Sequence, residues 1–230
     1  MDAHWTYFLI LSGSIAGPLL LSFDRKVAYF RRWPDVFLAM LLPAMVFILW
    51  DIRFAQAGVW SFSPGHTVGL RWWGLPVEEI LFFFVVPFCC VFIHVCVRAY
   101  LPHLSFDRTG RMVLRLIAAL VLTVGLFFMD RDYTSWTAVL LAIYIGLVLT
   151  RQKWFAGFRS DFFLVSFSIS LVPFLVVNGI LTSIPVVSYN DSENLGVRLG
   201  TIPMEDVFYG MLLMLMNISI LERKQHPAVG

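Results

Sequence analysis

Charge is scarce in this chain. Charged residues make up 14% of the 230 positions, and the formal net charge is +2. So small a positive charge gives no basis for a nucleic-acid partner. Hydrophobic residues make up 59% of the chain, more than a water-soluble domain can bury, whereas a lipid bilayer accepts them. The composition therefore predicts an integral membrane protein.

Lysine and cysteine are also rare, and their positions argue against two kinds of site. The lysines are Lys26, Lys153 and Lys224, all at the ends of apolar segments. A retinal-binding protein needs a membrane-embedded lysine for its Schiff base, so that class is disfavoured. The three cysteines lie together within positions 89–96, inside one apolar segment and without metal-ligand spacing. We therefore predict no disulfide framework and no metal site.

Motifs for phosphate-bearing ligands are missing as well. The sequence has no glycine-rich dinucleotide fingerprint and no phosphate-binding loop, so no flavin or nicotinamide cofactor is predicted. An intramembrane prenyltransferase would need acid-rich motifs to hold magnesium and diphosphate. The pair Asp130 and Asp132 is too sparse for that role.

Long apolar runs dominate what is present. Seven of them are long enough to span about 30 Å of hydrocarbon as helices. Their predicted limits are 5–23, 36–54, 76–98, 112–129, 134–151, 162–184 and 203–221. The first run has neither a basic leader nor a small-residue cleavage site, so we expect a permanent helix and not a signal peptide. We predict an all-α integral membrane protein with seven transmembrane helices.

Basic residues are concentrated on one side of the predicted bundle. Thirteen of the 17 lysines and arginines lie in connections on this side or in the tail: Arg25, Lys26, Arg31, Arg32, Arg98, Arg108, Arg111, Arg115, Arg151, Lys153, Arg159, Arg223 and Lys224. Ten of the 15 acids, from Asp2 to Asp206, fall on the opposite side. The positive-inside rule then places the N-terminus outside and the C-terminus in the cytoplasm. A bacterial inner (plasma) membrane is the predicted location.

One short phrase occurs twice, 127 residues apart. The first copy reads GLRWWGLPVEE (69–79), and the second reads GVRLGTIPMED (196–206). Glycine, arginine, proline, glutamate and a second acid recur in register. Each copy opens a long apolar run, so paired carboxylates stand at the outward ends of predicted helices 3 and 7. Charge is costly there, and a functional reason is expected.

The repeat predicts how the helices are arranged. A shift of 127 residues maps predicted helices 1–3 onto helices 5–7 and leaves helix 4 as a connector. Moving four helices along restores the same direction, so we expect two parallel three-helix repeats with a ligand cavity between them. The predicted divisions are 1–100 and 132–223 for the repeats, 101–131 for the connector and 224–230 for a cytoplasmic tail.

The paired acids have two interpretations. A proline followed by acids is an ordinary helix start. A catalytic interpretation is favoured because both copies have two adjacent acids and an arginine five residues before the proline. In addition, Glu78 and Glu205 stand four residues before Phe82 and Tyr209, so each shares a helical face with a ring.

Such carboxyl groups suit acid–base chemistry. Adjacent residues on a helix point about 100° apart, so one acid of each pair is expected to face the cavity and its neighbour to pair with Arg71 or Arg198. Buried carboxyl groups in unlike environments divide into a proton donor and a proton acceptor. Aromatic rings, whose faces stabilise cations, lie near the motifs: Trp60, Phe62, Phe82, Tyr189 and Tyr209. The set suits a reaction that passes through a carbocation.

Several phrases together resemble the membrane-integral lycopene cyclases. They are LLSFDRK (20–26), WD (50–51), GVWSF (58–62), LPVEE (75–79) with FF at 82–83, and GTIPMEDVFY (200–209). The halves of that family occur as two separate subunits in some bacteria, as one fused chain in others, and as a domain of fungal phytoene synthase fusions. This chain resembles the fused form without a synthase domain.

The resemblance implies lycopene β-cyclisation, a redox-neutral isomerisation in carotenoid biosynthesis. By that match Glu78, Glu79, Glu205 and Asp206 are the candidate catalytic residues, one from each pair acting as acid or base. A carboxyl group protonates the terminal double bond, the neighbouring double bond closes a six-membered ring, and a base removes a ring proton. Lycopene, cyclised carotenoids and membrane lipid are the expected partners, and other carotenoid enzymes are candidate partners.

Four further residues, two in each half of the sequence, are predicted to support the acids. Arg71 and Arg198 are expected to organise the acids. Asp51 is a candidate supporting residue, and its counterpart in the second half is Asn178. This unequal pair predicts that the two halves have different roles.

A small membrane transporter or proton-coupled carrier is the alternative function. Parallel repeats and membrane-embedded carboxylates fit a carrier as well. Expression in lycopene-making cells separates the two, because a cyclase changes the carotenoid and a carrier does not.

Overall fold

The computed structural model describes residues 3–151 and 153–225, and in these ranges the chain forms seven α-helices. They are α1 (Thr6–Leu21), α2 (Trp33–Ala57), α3 (Val77–Tyr100), α4 (Asp107–Phe127), α5 (Asp132–Thr150), α6 (Ser160–Ser183) and α7 (Met204–Gln225). All seven, α1 with its preceding 3₁₀ turn, are long and apolar enough to cross a membrane, which confirms the predicted class. Asp2 and residues 226–230 of the predicted tail lie outside the described residues.

Helix α4 begins five residues before its predicted start. Asp107 makes the difference, because its carboxylate accepts hydrogen bonds from Ser160 N at 2.6 Å and from Arg111 Nε at 2.7 Å. The second of these is an (i, i+4) ion pair on the helix itself, which stabilises a first turn that is too polar to register in the hydropathy.

Six short strands add to the predicted all-α fold, and all lie in the two loops that carry the doubled phrase. They are β1 (Trp60–Phe62), β2 (Arg71–Trp72), β3 (Leu75–Pro76), β4 (Val187–Tyr189), β5 (Arg198–Leu199) and β6 (Ile202–Pro203). β2 pairs with β3 and β5 with β6 as hairpins, whereas β1 pairs with β4 across the two loops, with Trp60 opposite Tyr189. The strands arise because the backbone groups of these partly buried loops need partners. The end of the bundle that holds these loops is called the motif end below.

The helices pack so that α3 and α7 are the most enclosed. α1 packs on α3, and α5 packs on α7 in the same way. α2 packs on α7 and α6 packs on α3, so each second helix crosses to the other half. α4 lies outside, against α5 and α6. It approaches α5 closely at Gly125, where an added Cβ would lie 2.9 Å from the Cβ of Ala138.

Large apolar side chains cover the outside of the bundle. They include Leu20, Leu116, Leu120, Phe127 and Val172, all exposed. A surface of this kind is stable against lipid and not against water.

A buried polar network joins three helices at the opposite end of the bundle. His94 of α3 hydrogen-bonds to Ser166 of α6 at 2.9 Å and to Glu222 of α7 at 3.0 Å. Arg98 also pairs with Glu222. The network satisfies the polar atoms of His94, which is buried in the core.

Candidate active site

Each copy of the doubled phrase folds as a hairpin that leads directly into a helix. The hairpin β2–β3 precedes α3, and β5–β6 precedes α7. Their turns contain Gly74 and Gly200, with φ angles of 93° and 65°, values that glycine adopts without steric cost. Arg71 Nη1 donates to Gly74 O at 3.0 Å, and Arg198 Nη1 donates to Thr201 O at 2.8 Å. The recurring arginine therefore closes the turn of its own hairpin.

The first acid of each pair ties the preceding loop to the start of the helix. Glu78 Oε1 accepts from Val68 N at 2.6 Å. Glu205 Oε1 accepts from Leu195 N at 2.7 Å and from Thr134 Oγ1 at 2.6 Å. Both carboxyl groups are buried. Their contacts are those of a structural residue that fixes the loop.

The second acid of each pair faces a cavity between the halves. Glu79 Oε2 accepts from Tyr7 Oη of α1 at 2.6 Å, and Asp206 Oδ1 accepts from Tyr133 Oη of α5 at 2.6 Å. Both acids line the same cavity. Its empty volume, including the part that is open to the outside, is about 490 Å³. The paired acids therefore divide by position, the first toward the loop and the second toward the cavity.

Asp51 and Asn178 also line this cavity and make its two sides unequal. Asp206 Oδ2 accepts from Tyr189 Oη at 2.9 Å and from Asn178 Nδ2 at 3.2 Å. Asp51 Oδ1 lies 3.5 Å from Tyr209 Oη, and Asp51 Oδ2 has no hydrogen-bond partner in the described chain. The Asp206 carboxyl group thus accepts from three donors, whereas the Asp51 carboxyl group has a single long contact.

Tyr189 is the one tyrosine of the site that lies in a loop outside the helices. Its burial, together with the nearby charge and hydrogen bond of Asp206, raises the pKa of the Tyr189 phenol well above its usual value. The phenol therefore keeps its proton and remains a hydrogen-bond donor to Asp206.

All five predicted aromatic residues lie on the cavity wall: Trp60, Phe62, Phe82, Tyr189 and Tyr209. Trp60 lies at the centre of the set. The centroid of its ring is 5.1 Å from that of Tyr133, 6.1 Å from that of Tyr189 and 6.2 Å from that of Tyr209. Several electron-rich rings thus surround one small volume, an arrangement that stabilises positive charge.

The predicted pairing of the arginines with the acids is wrong. Among the described residues, Arg71 donates to the carbonyl oxygens of Gly74 and Phe62, and Arg198 donates to Thr201 O and pairs with Asp191. The guanidinium groups are used by the hairpins, whose carbonyl oxygens lie closer than the acids. The hydrogen bond from Arg198 lowers the pKa of the exposed Asp191 carboxyl.

Two tyrosines of the site are not identified by the sequence analysis. Tyr7 and Tyr133 lie near the starts of α1 and α5, 126 residues apart, and each donates to the second acid of its own half. The near-repeat spacing is the signal that could have found them. It is one residue shorter than the spacing of the acids.

Truncating Glu205 is expected to destabilise the fold. Glu205→Ala leaves the partly buried Leu195 N–H and the buried Thr134 hydroxyl without their acceptor, which costs about 2–3 kcal/mol. Thermal unfolding of the purified protein in detergent should therefore occur at a lower temperature. Asp130→Asn, on the exposed loop before α5, is the control and should leave the melting temperature unchanged. Equal melting temperatures for the two variants would contradict the structural role.

Together the fold and the site define a membrane-embedded helical bundle with three acids, Asp51, Glu79 and Asp206, in an aromatic cavity. The family model for lycopene cyclase matches residues 4–97 and 130–223, most of the chain. The chain therefore belongs to the lycopene cyclase family, and this membership links it to carotenoid biosynthesis and supports a lycopene cyclase function.

One curated relative is a protein of Phaeosphaeria nodorum (strain SN15 / ATCC MYA-4574 / FGSC 10173) named bifunctional lycopene cyclase/phytoene synthase. It is 38% identical over 61 residues, which are 26% of this chain and 10% of the relative. The matched part thus spans only a tenth of that protein's length. No solved structure matches the chain.

Proposed function

We propose that the protein is a lycopene β-cyclase, which closes the open ends of lycopene to β-ionone rings. The observation that carries the proposal is that Glu79 and Asp206, one from each copy of the phrase, line one buried aromatic cavity. Membership of the lycopene cyclase family supports it.

Glu79 is the proposed proton donor, with Asp51 beside it in the cavity. Two carboxylates in one buried space repel each other, and protonation of one of them relieves that repulsion. Among the described residues, Glu79 accepts a hydrogen bond from Tyr7 alone. A carboxyl group with so few donors is suited to give its proton to a carbon atom.

Asp206 is the proposed base. Donors from Tyr133, Tyr189 and Asn178 favour its carboxylate form, since each stabilises the negative charge. The reaction is then balanced. A proton leaves Glu79 for the terminal double bond, the neighbouring double bond attacks the tertiary cation, and Asp206 takes a proton from the new ring. No electrons are gained or lost, so the proposal includes no redox cofactor.

We also propose that α1–α3 and α5–α7 are parallel repeats joined by α4, as the sequence predicts. The paired contacts of the two hairpins support this arrangement, as do those of the second acids. The matching packing of α1 on α3 and α5 on α7 supports it as well. The cavity then lies between related halves whose chemistry has diverged at Asp51 and Asn178.

The proposed orientation puts the motif end outside a bacterial inner membrane and the α1–α2, α3–α4 and α5–α6 connections in the cytoplasm. A cysteine introduced at Asp191, in the loop before α7, should react with a membrane-impermeant maleimide added to intact spheroplasts. A cysteine at Arg108 should react only after the membrane is broken. The background should be a variant with all three native cysteines replaced by serine. The reverse pattern would show that the bundle is inverted.

Expression in lycopene-producing cells tests the function. Extracted pigments should shift from lycopene to the monocyclic and bicyclic β-ring products, identified by chromatography and absorption spectra. Purified protein in lipid vesicles containing lycopene should do the same without added nucleotide. Unchanged lycopene in both assays, with the protein present in the membrane, would favour the carrier alternative. A different ring isomer would keep the cyclase and replace only the β-specificity.

A further inference from the structure

Two grooves run along the outside of the bundle where the halves meet, and they differ in character. One lies between α1, α3 and α6, and the other between α2 and α5. Of the residues that the structure describes, none that lines the α1/α6 groove is charged. The α2/α5 groove contains Arg53 and Asp132. A hydrocarbon chain is therefore accommodated better by the first groove.

The α1/α6 groove adjoins the cavity that contains the acids. Phe174 lines the cavity, the α1/α6 groove and a third apolar space toward α7. The α2/α5 groove shares no lining residue with the cavity in the described chain. From Glu79 to Ile93, cavity and groove follow α3 for about 21 Å, at about 1.5 Å per residue.

Aromatic side chains close the other groove. Trp50 and Phe54 stand between it and the cavity, with centroids 5.6 Å apart. Trp50 lies 5.1 Å from Tyr209 of the cavity wall, and Phe54 lies 5.0 Å from Trp60. The positions 127 residues later hold Val177 and Leu181, aliphatic residues in place of these rings.

The ring of Phe174 occupies the space that a side chain at Gly210 would fill. A Cβ added at Gly210 of α7 would lie 2.9 Å from Phe174 Cζ, so the ring rests directly on the glycine. At the corresponding place in the first half, Phe47 packs against Phe83 at 5.9 Å and Tyr209 at 4.8 Å. Phe47 is fully buried, whereas Phe174 is half-buried. Phe174 is therefore the less constrained of the two.

We propose that a linear polyene reaches the acids only through the α1/α6 groove, with Phe174 as the gate between groove and cavity. The open chain of an acyclic carotenoid lies in the groove while one of its ends reacts. The inference rests on the proposed cyclase function and adds the substrate's path. A bicyclic product then requires release and reversal of the chain, because the second groove gives no access.

Blocking the groove tests the path. Val177→Trp fills the groove at the position where Trp50 stands on the other side. It should lower the rate of lycopene conversion at least tenfold, with unchanged membrane levels and melting temperature in detergent. Val176→Trp places the same side chain one residue away on the exposed face and should convert lycopene at the wild-type rate. Equal rates for both variants would overturn the path while leaving the cyclase function intact.

Chemical protection tests the path without relying on turnover. Cys89 and Cys90 line the α1/α6 groove, whereas Cys96 does not line it. A lipid-soluble mercurial should modify Cys89 and Cys90 in empty vesicles, and lycopene in the vesicles should slow this modification at least tenfold while leaving Cys96 unaffected. Mass spectrometry of peptides gives the readout. Unreactive groove thiols, or equal reaction with and without lycopene, would overturn the proposal. Protection without cyclisation would instead refute the cyclase function and keep the polyene groove.

Discussion

Glu79→Gln and Asp206→Asn should each abolish ring formation. Glutamine at position 79 cannot release a proton to the double bond, and asparagine at position 206 cannot accept one from the ring. Loss of one acid–base group typically costs about 10²–10⁴-fold in rate, so cyclised carotenoid should fall below detection in lycopene-producing cells. Both amides keep the size of the side chain and an oxygen acceptor for Tyr7 or Tyr133.

The first acids provide the matched controls. Glu78→Gln and Glu205→Gln change adjacent residues on the same helices, and their amide oxygens still accept from Val68 N and Leu195 N. These variants should retain cyclisation within about threefold when corrected for protein level. The difference between adjacent positions is the decisive observation. Loss of activity in Glu78→Gln with a fully folded protein would refute the division of roles.

Asp51→Asn should have the second-largest effect, a loss of about 10²-fold in cyclisation. Asparagine gives the first half the residue of the second half, and the cavity then loses the carboxyl group whose negative charge favours a proton on Glu79. The complementary variant Asn178→Asp removes a donor from Asp206 and adds a negative charge beside it. It should also slow the reaction.

The double exchange tests whether these two positions define the roles of the halves. Asp51→Asn combined with Asn178→Asp keeps the number of carboxyl groups in the cavity constant. Recovery of more activity than either single variant would indicate that the roles are exchangeable. Rates are measured on membranes with equal protein, with pigment analysis by chromatography. If Asp51→Asn alone converts lycopene at the wild-type rate, Asp51 has no part in proton transfer.

The doubled phrase made much of this site predictable. Hydropathy alone locates seven helices, and the doubled phrase predicts a cavity with acids from both copies, which Glu79 and Asp206 provide. The sequence does not determine which acid of each pair faces inward, because that depends on the loop folding back over the helix. Glu78 points away from the cavity because its carboxylate accepts a hydrogen bond from Val68 N. Hydropathy carries no information about this contact between residues ten positions apart.

Hydrogen-bond competition explains the error over the arginines. A guanidinium beside two acids predicts an ion pair, but five N–H donors in a planar fork also suit the carbonyl oxygens of a tight turn. The turns at Gly74 and Thr201 lie closer to Arg71 and Arg198 than the acids do. Tyr7 and Tyr133 show the opposite case, since they are remote in sequence from the motifs and meet them only through helix packing.

The short ladder of β1 and β4 covers the cavity at the motif end, and it needs one strand from each of the two loops. Trp60 and Tyr189 face each other across this ladder, and each comes from a different half. A chain cut between α3 and α4 would therefore form two incomplete pieces, the first with Asp51 and Glu79 and the second with Asp206. Under the proposed cyclase function, ring formation would return only when the two pieces associate, and the covalent connection through α4 keeps them at a high local concentration in the intact chain.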